Sequence, residues 1–202
     1  MRYVYPVVGL EYRQRGRHLR GEFPYGRTAT ISDRGRLRKE RIGPRAFRYA
    51  VDDDAHEIDL LRGHDFDAPL ASKSEGSLQL TDTPHVLAFD AELPPERSWP
   101  TWMQDTVLAV RSGLIRGVSP GFRVPPASAV RNAVEEIPEP GNPAVFIRQI
   151  NEAVLYELSL VTRPAYPDTA VAVESRHDWR GNLPDLSAAG RPDSSERFYR
   201  WL

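Results

Sequence analysis

The sequence predicts a single β-rich α+β domain with few helices. Three observations carry that prediction. Among 202 residues there are 18 prolines and 14 glycines, which set many turns and leave little room for long helices. Segments rich in aromatic and β-branched residues recur through most of the chain. Only one stretch, residues 102–114, holds apolar side chains at helical spacing over several turns. The length suffices for one well-filled core and is short for two full domains.

Residues 1–10, with Tyr3, Val4, Tyr5, Val7 and Val8, and residues 19–31, with Phe23, Tyr25, Thr28 and Thr30, read as strands. The run Arg34-Gly35-Arg36-Leu37-Arg38-Lys39 lacks interleaved aromatics and reads as a solvated hairpin tip. Pro44 opens a short helix expected over residues 43–50, with Phe47 and Ala50 on one face. Residues 57–63 return to strand and end at His64. Ser77-Leu78-Gln79-Leu80 alternates at period two, turns through Asp82-Thr83-Pro84, and continues into a strand over 86–93, which together predict a hairpin.

The one substantial helix is expected from Trp102, Met103, Val107, Leu108, Val110 and Leu114, with Gly117 just beyond its end. A strand over 118–124 is closed by Pro125-Pro126, and residues 144–161 predict two strand segments with a turn near Asn151. Past Ala172 the apolar rhythm stops. Residues 1–173 therefore read as the folded domain and 174–202 as a polar tail, mobile or docked by Phe198, Tyr199 and Trp201.

A net charge of −1 gives no whole-protein attraction to nucleic acid. No apolar run approaches the roughly 20 residues that span a bilayer, and the N-terminus lacks a signal-peptide pattern, so neither a membrane nor export is expected. With no cysteine there is no disulfide framework, thiolate nucleophile or Cys-based zinc site.

Three short blocks each hold one residue that a serine hydrolase needs: Leu60-Leu61-Arg62-Gly63-His64-Asp65, Arg116-Gly117-Val118-Ser119-Pro120-Gly121-Phe122, and Tyr156-Glu157-Leu158-Ser159-Leu160-Val161. A serine hydroxyl is a poor nucleophile until a base takes its proton. Pro120 biases Ser119 toward an extended conformation, and Gly117 and Gly121 remove side chains on either side, which reads as access for a substrate backbone. The bland alternative is a serine in a glycine-bounded turn or bulge. The block also matches the G-x-S-x-G pattern of α/β-hydrolases. The order Ser119, Asp168, His177 would suit that fold, but Pro125-Pro126 cannot start the helix it needs, His177 lies in the polar tail and the chain lacks alternating βα units, so that rival is rejected.

Of five histidines, His64 alone ends an apolar strand, whereas His18, His56, His85 and His177 fall in charged or turn-like surroundings. A metal site formed by His64, Asp65 and Asp67 is a weaker alternative, because no other histidine falls at ligand spacing. A histidine base needs an acceptor that fixes its tautomer. Glu157 is the first choice. Period-two alternation puts Leu155, Glu157 and Ser159 on one face and Tyr156, Leu158 and Leu160 on the other, and a carboxylate buried in so apolar a run must be paired. Solvent exposure of Glu157 is the competing reading, and Asp65 and His85 are the other candidates for the third role.

Together these blocks resemble the prohead (procapsid) maturation proteases of tailed phages, a family related in fold and chemistry to the herpesvirus capsid maturation protease. The likeness covers most of residues 20–173. Its signposts are Gly43-Pro44-Arg45-Ala46-Phe47, His64-Asp65-Phe66-Asp67-Ala68-Pro69-Leu70-Ala71, Gly113-Leu114-Ile115-Arg116, Gly117-Val118-Ser119-Pro120-Gly121-Phe122-Arg123-Val124, and the run from Glu157 through Arg163-Pro164-Ala165 to Asp168.

The resemblance implies a serine endopeptidase on a closed or nearly closed β-barrel flanked by a few helices. By that likeness Ser119 is the nucleophile, His64 the general base and acid, and Glu157 the acidic third member, with no cofactor. It further implies action inside the assembling procapsid in the host cytoplasm. The expected substrates are scaffold protein and the scaffolding segment of the major capsid protein. Self-cleavage in the tail and a homo-oligomer are further expectations, and nucleic acid and membrane are not expected partners. One departure stands out. Pro120 replaces a residue that in the family commonly has an N–H, so the oxyanion donor must be another group, such as the Gly121 N–H, a loop amide or a water held by Arg163. The alternative function is a catalytically inactive β-barrel that binds capsid or scaffold protein.

Overall fold

The computed structural model describes residues 12–13, 16–33, 36–164, 166 and 170–173. In chain order the elements are β1 (Tyr12–Arg13), β2 (Gly16–Pro24), β3 (Thr28–Asp33), β4 (Arg36–Ile42), α1 (Arg48–Asp52), β5 (Asp59–Arg62), β6 (Asp65–Ser72), β7 (Leu78–Asp82) and β8 (Val86–Leu93). A 3-10 turn at Glu96–Ser98 precedes α2 (Thr101–Arg111), followed by β9 (Gly117–Arg123), β10 (Val134–Glu139), β11 (Asn142–Ile150), β12 (Val154–Val161) and β13 (Ala170–Val173). The strand expected over 1–10 and the tail over 174–202 lie outside the described residues.

The β-rich prediction stands, but the expected barrel does not. Among the described residues the strands form three open sheets. In the first, β1 and β13 pair with β2, which pairs with β8, and β8 pairs with β7. The second runs β10-β11-β4-β3 and the third β6-β5-β12-β9. The edges of the third sheet explain part of this. β9 carries Pro120 and β6 carries Pro69, each lacking a backbone donor. Register shifts on both sides of Leu61 also skew β6 against β5.

Local chemistry accounts for other departures from expectation. The strand read over 19–31 divides at Tyr25-Gly26-Arg27, where Gly26 takes a positive φ of 75°. The arginine run is only partly a tip, because Arg36–Lys39 pair along β3 up to Thr30. The helix expected from Gly43 begins later, at Arg48: Arg45, at φ 56°, leaves the helical path directly after Pro44. Its predicted buried face is correct, with Phe47 and Ala50 fully buried. The long helix ends at Gly113, not at Gly117. Gly113 has φ 71° and donates to the Val110 carbonyl at 3.0 Å, while Leu114 donates to Ala109 at 2.8 Å, the paired closure of a Schellman motif.

The core behind the third sheet holds an aromatic cluster. Phe23 of β2 meets Tyr166 edge-on with ring centroids 5.1 Å apart, and Phe47 meets Phe122 of β9 at 5.5 Å. Phe122 thus anchors β9 from the core side and sets the opposite face of that strand.

Candidate active site

β12 is the central strand of the site, flanked by parallel β5 and antiparallel β9. Glu157 faces Asp59 on one side and Gly121 on the other, and Ser159 likewise lies between Leu61 and Ser119. Directly paired residues share a sheet face, so Asp59, Leu61, Glu157, Ser159, Gly121 and Ser119 line one face. The other face buries Leu158, Leu160, Leu60, Val118 and Pro120.

The expectation that Leu155 shares the Glu157 face is overturned. A register shift inserts Tyr156 between the pairs Leu155–Phe122 and Glu157–Gly121. That bulge breaks the alternation, so Leu155 packs in the core with Leu158 and Leu160. Tyr156 is left exposed, with Arg123 over its ring at 6.0 Å.

His64 reaches this face through a two-residue hairpin turn. Gly63 and His64 have φ of 60° and 63°, and Arg62 pairs with Asp65, the pattern of a type I′ turn. A non-glycine residue in the left-handed region costs about 1–3 kcal/mol and persists only where its surroundings hold it. Two contacts do so here. The His64 N–H donates to Ser159 Oγ at 2.8 Å, and His64 Nδ1 lies 2.6 Å from Glu157 Oε1.

Glu157 is 3% exposed, which decides against the solvent-facing reading, and its two oxygens are used separately. Oε1 meets the imidazole, while Oε2 accepts from the Ser159 hydroxyl at 2.7 Å. Gly121 makes the carboxylate's position available: a Cβ there would lie 2.0 Å from Glu157 Oε1. Gly117 likewise serves packing, since a Cβ would sit 2.4 Å from Pro164 Cγ. The access role expected of these two glycines is therefore replaced by close packing. Asp59, beside Glu157, has its carboxyl pushed above the usual range, first by burial and then by the charges of Glu57 and Glu157.

Ser119 is half-buried in a stretch of β9 whose register runs unbroken from Gly121 to Gly117 against β12. It occupies neither a turn nor a bulge, and no strand-to-helix elbow follows it. Opposed Cα atoms in such a ladder lie about 4.5–5.5 Å apart. Ser119 therefore neighbours Ser159, the residue that holds the His64 amide, and the fold brings all three blocks to one sheet face.

The competing assignments separate. Asp65 and Asp67 are both exposed, and Asp65 Oδ1 accepts the Asp67 N–H at 2.9 Å, whereas the carboxylate on the His64 imidazole is that of Glu157. Among the described residues no His, Cys, Asp and Glu cluster suits a metal ion. His85 is exposed in the β7–β8 turn, His18 pairs with Asp90 at 2.6 Å, and His56 Nε2 lies 2.7 Å from the Leu155 carbonyl. Asp168 and His177 lie outside the described residues. Sequence reading placed Ser159 beside Glu157 but gave it no task. The signal was there, in two polar residues at i and i+2 on one face of an apolar strand.

With this geometry in view, comparison with known families matches residues 26–180 to the caudovirus prohead serine protease family. That span is well over half the chain, and the chain belongs to this family. No curated protein and no solved structure matches it.

Proposed function

We propose that this prohead serine protease family member is an endopeptidase that uses Ser119, His64 and Glu157 to cut scaffold protein and the scaffolding segment of the major capsid protein. One observation carries the reading: the buried Glu157 carboxylate lies 2.6 Å from the His64 imidazole on β12, the strand whose Ser159 is the register partner of Ser119 on β9.

Glu157 engages Nδ1, so Nε2 is the nitrogen for proton transfer. His64 takes the Ser119 proton, and the Ser119 oxygen forms a bond to the scissile carbonyl carbon. The resulting imidazolium gives its proton to the amine as the C–N bond breaks. Water, activated by the same imidazole, then releases the acyl group and restores the serine. Glu157 orients the imidazole and stabilises the imidazolium. Residue 120 is proline, so the oxyanion takes its hydrogen bond from a donor other than the amide after the nucleophile.

The enzyme acts within the assembling procapsid in the host cytoplasm and trims its own chain at a point in the polar tail beyond Val173. Co-expression with its capsid protein tests the activity: wild type shortens that protein and Ser119→Ala leaves it intact. Normal processing by Ser119→Ala removes the proposal. Failure of a serine-directed phosphonate to label wild-type Ser119, with capsid binding retained, favours a non-catalytic binding protein. Mass spectra separate the self-cleavage claim, since identical C-termini in wild type and Ser119→Ala refute it alone.

A further inference from the structure

Ser159 is fully buried between Leu158 and Leu160 in β12, and the catalytic reading gives it no step. A hydroxyl in such a place is costly unless its donor and acceptor functions are both met. The site meets both. Ser159 Oγ donates to Glu157 Oε2 at 2.7 Å and accepts from the His64 N–H at 2.8 Å. With the 2.6 Å contact between His64 Nδ1 and Glu157 Oε1, these bonds close a ring through carboxylate, imidazole and turn backbone.

We infer that Ser159 is a positioning residue that locks the Glu157 carboxylate plane and the His64 turn together, and so holds the imidazole in register with Ser119. The inference rests on the catalytic reading of Ser119, His64 and Glu157. A carboxylate rotates freely about its terminal torsion, so one bond from Oε1 leaves it able to swing. Ser159 holds the second oxygen and removes that freedom. The same hydroxyl anchors the left-handed His64 backbone, so turn and carboxylate move as one body. Ser159 is also the register partner of Ser119, which ties the anchor to the strand that carries the nucleophile. Its full burial excludes Ser159 itself as the attacking group.

The test compares wild type, Ser159→Ala and Ser159→Thr in labelling by a fluorophosphonate, which reads nucleophile activation without a known peptide substrate. Ser159→Ala should lower the maximal labelling rate roughly 10- to 100-fold, the scale of an ångström-level misplacement, with the half-saturating reagent concentration unchanged. Ser159→Thr, which keeps the hydroxyl, should recover most of it. In a Ser119→Ala background, the downfield His64 Nδ1 proton resonance should vanish with Ser159→Ala and return with Ser159→Thr. Wild-type labelling by Ser159→Ala, or an unchanged resonance, overturns the inference. If Ser159→Ala does not fold, Ser159→Cys, similar in size and a weaker donor, carries the same two outcomes. Labelling of Ser119→Ala at the wild-type rate would instead defeat the catalytic reading, which the resonance experiment does not depend on.

Discussion

Two buried glutamates occupy different sheets and keep different company. Glu157 of β12 lies against the His64 imidazole and the Ser159 hydroxyl. Glu40 of β4 takes the Arg148 guanidinium at 2.5 Å and the Tyr166 hydroxyl at 2.9 Å. Both carboxylates satisfy the requirement that a buried charge be paired. The partners differ in what they can do next. Guanidinium keeps its proton throughout, so the Arg148–Glu40 pair exchanges none and serves to fasten β4 to β11 and, through Tyr166, to the segment after β12. Imidazole is the side chain suited to exchanging protons near neutrality, so Glu157 can favour a charge that comes and goes. Burial is common to both carboxylates; what differs is the chemistry of their partners.

The largest test of that contrast sets Ser119→Ala against Arg148→Met. The first should lower kcat/KM for capsid-protein cleavage by on the order of 10⁴ or more, while the second leaves turnover per folded molecule unchanged. Equal losses would erase the distinction. Next come changes to Glu157 and its seat. Glu157→Gln should cost roughly 10²-fold less than Ser119→Ala. Gly121→Ala, which drives a Cβ into Oε1, should cost about 10²-fold by displacing the carboxylate. Full activity in Gly121→Ala would show that Glu157 can relocate without consequence.

The Glu40 side should speak through stability. Arg148→Met strands a buried carboxylate and should cost up to about 3 kcal/mol in urea unfolding, discounted because the arginine is itself partly exposed. Tyr166 adds a pH signature. Burial, then the Glu40 charge and hydrogen bond, push its hydroxyl well above the ordinary tyrosine range, and burial followed by Asp82 does the same for Tyr25. Above about pH 10 the unfolded chain gives up tyrosine protons that the folded chain keeps, so stability present below that pH falls as alkali rises. Tyr166→Phe should make the decline shallower, and an identical slope would contradict this.

The smallest effect belongs to Asp59, whose raised carboxyl helps the fold only below the ordinary carboxylate range and loses that contribution as pH rises through its folded value. Asp59→Asn should raise Tm slightly at pH 7 and not in acid. A lower Tm at pH 7 would oppose the account of an Asp59 carboxylate disfavoured first by burial and then by its charged neighbours.

What was legible in the chain follows from how local each signal is. The β7–β8 hairpin needs only alternation and a nearby turn, and both strands form with Leu78 opposite Ala91. The long helix follows from spacing within a single segment. β6 and β10 were not anticipated, because Asp65, Asp67 and Pro69 in one, and Glu135, Glu136 and Pro138 in the other, hide a strand under charge and proline. Glu157 and Ser159 were correctly placed on one face, but the same alternation put Leu155 there too. The bulge that displaces it exists only against β9, more than 30 residues earlier in the chain.

From the chain alone came the β-rich class, the three blocks, and the likeness that singled out His64, Ser119 and Glu157. Only the folded molecule decided that the described sheets stay open, that a left-handed turn brings the His64 imidazole to Glu157, and that the Ser159 hydroxyl bonds both the Glu157 carboxylate and the His64 N–H. The reason is that side-chain spacing is written locally, whereas register, bulges and close approach arise between strands distant in sequence, where a missing Cβ at Gly121 or a missing donor at Pro120 acts on a partner that linear reading does not identify.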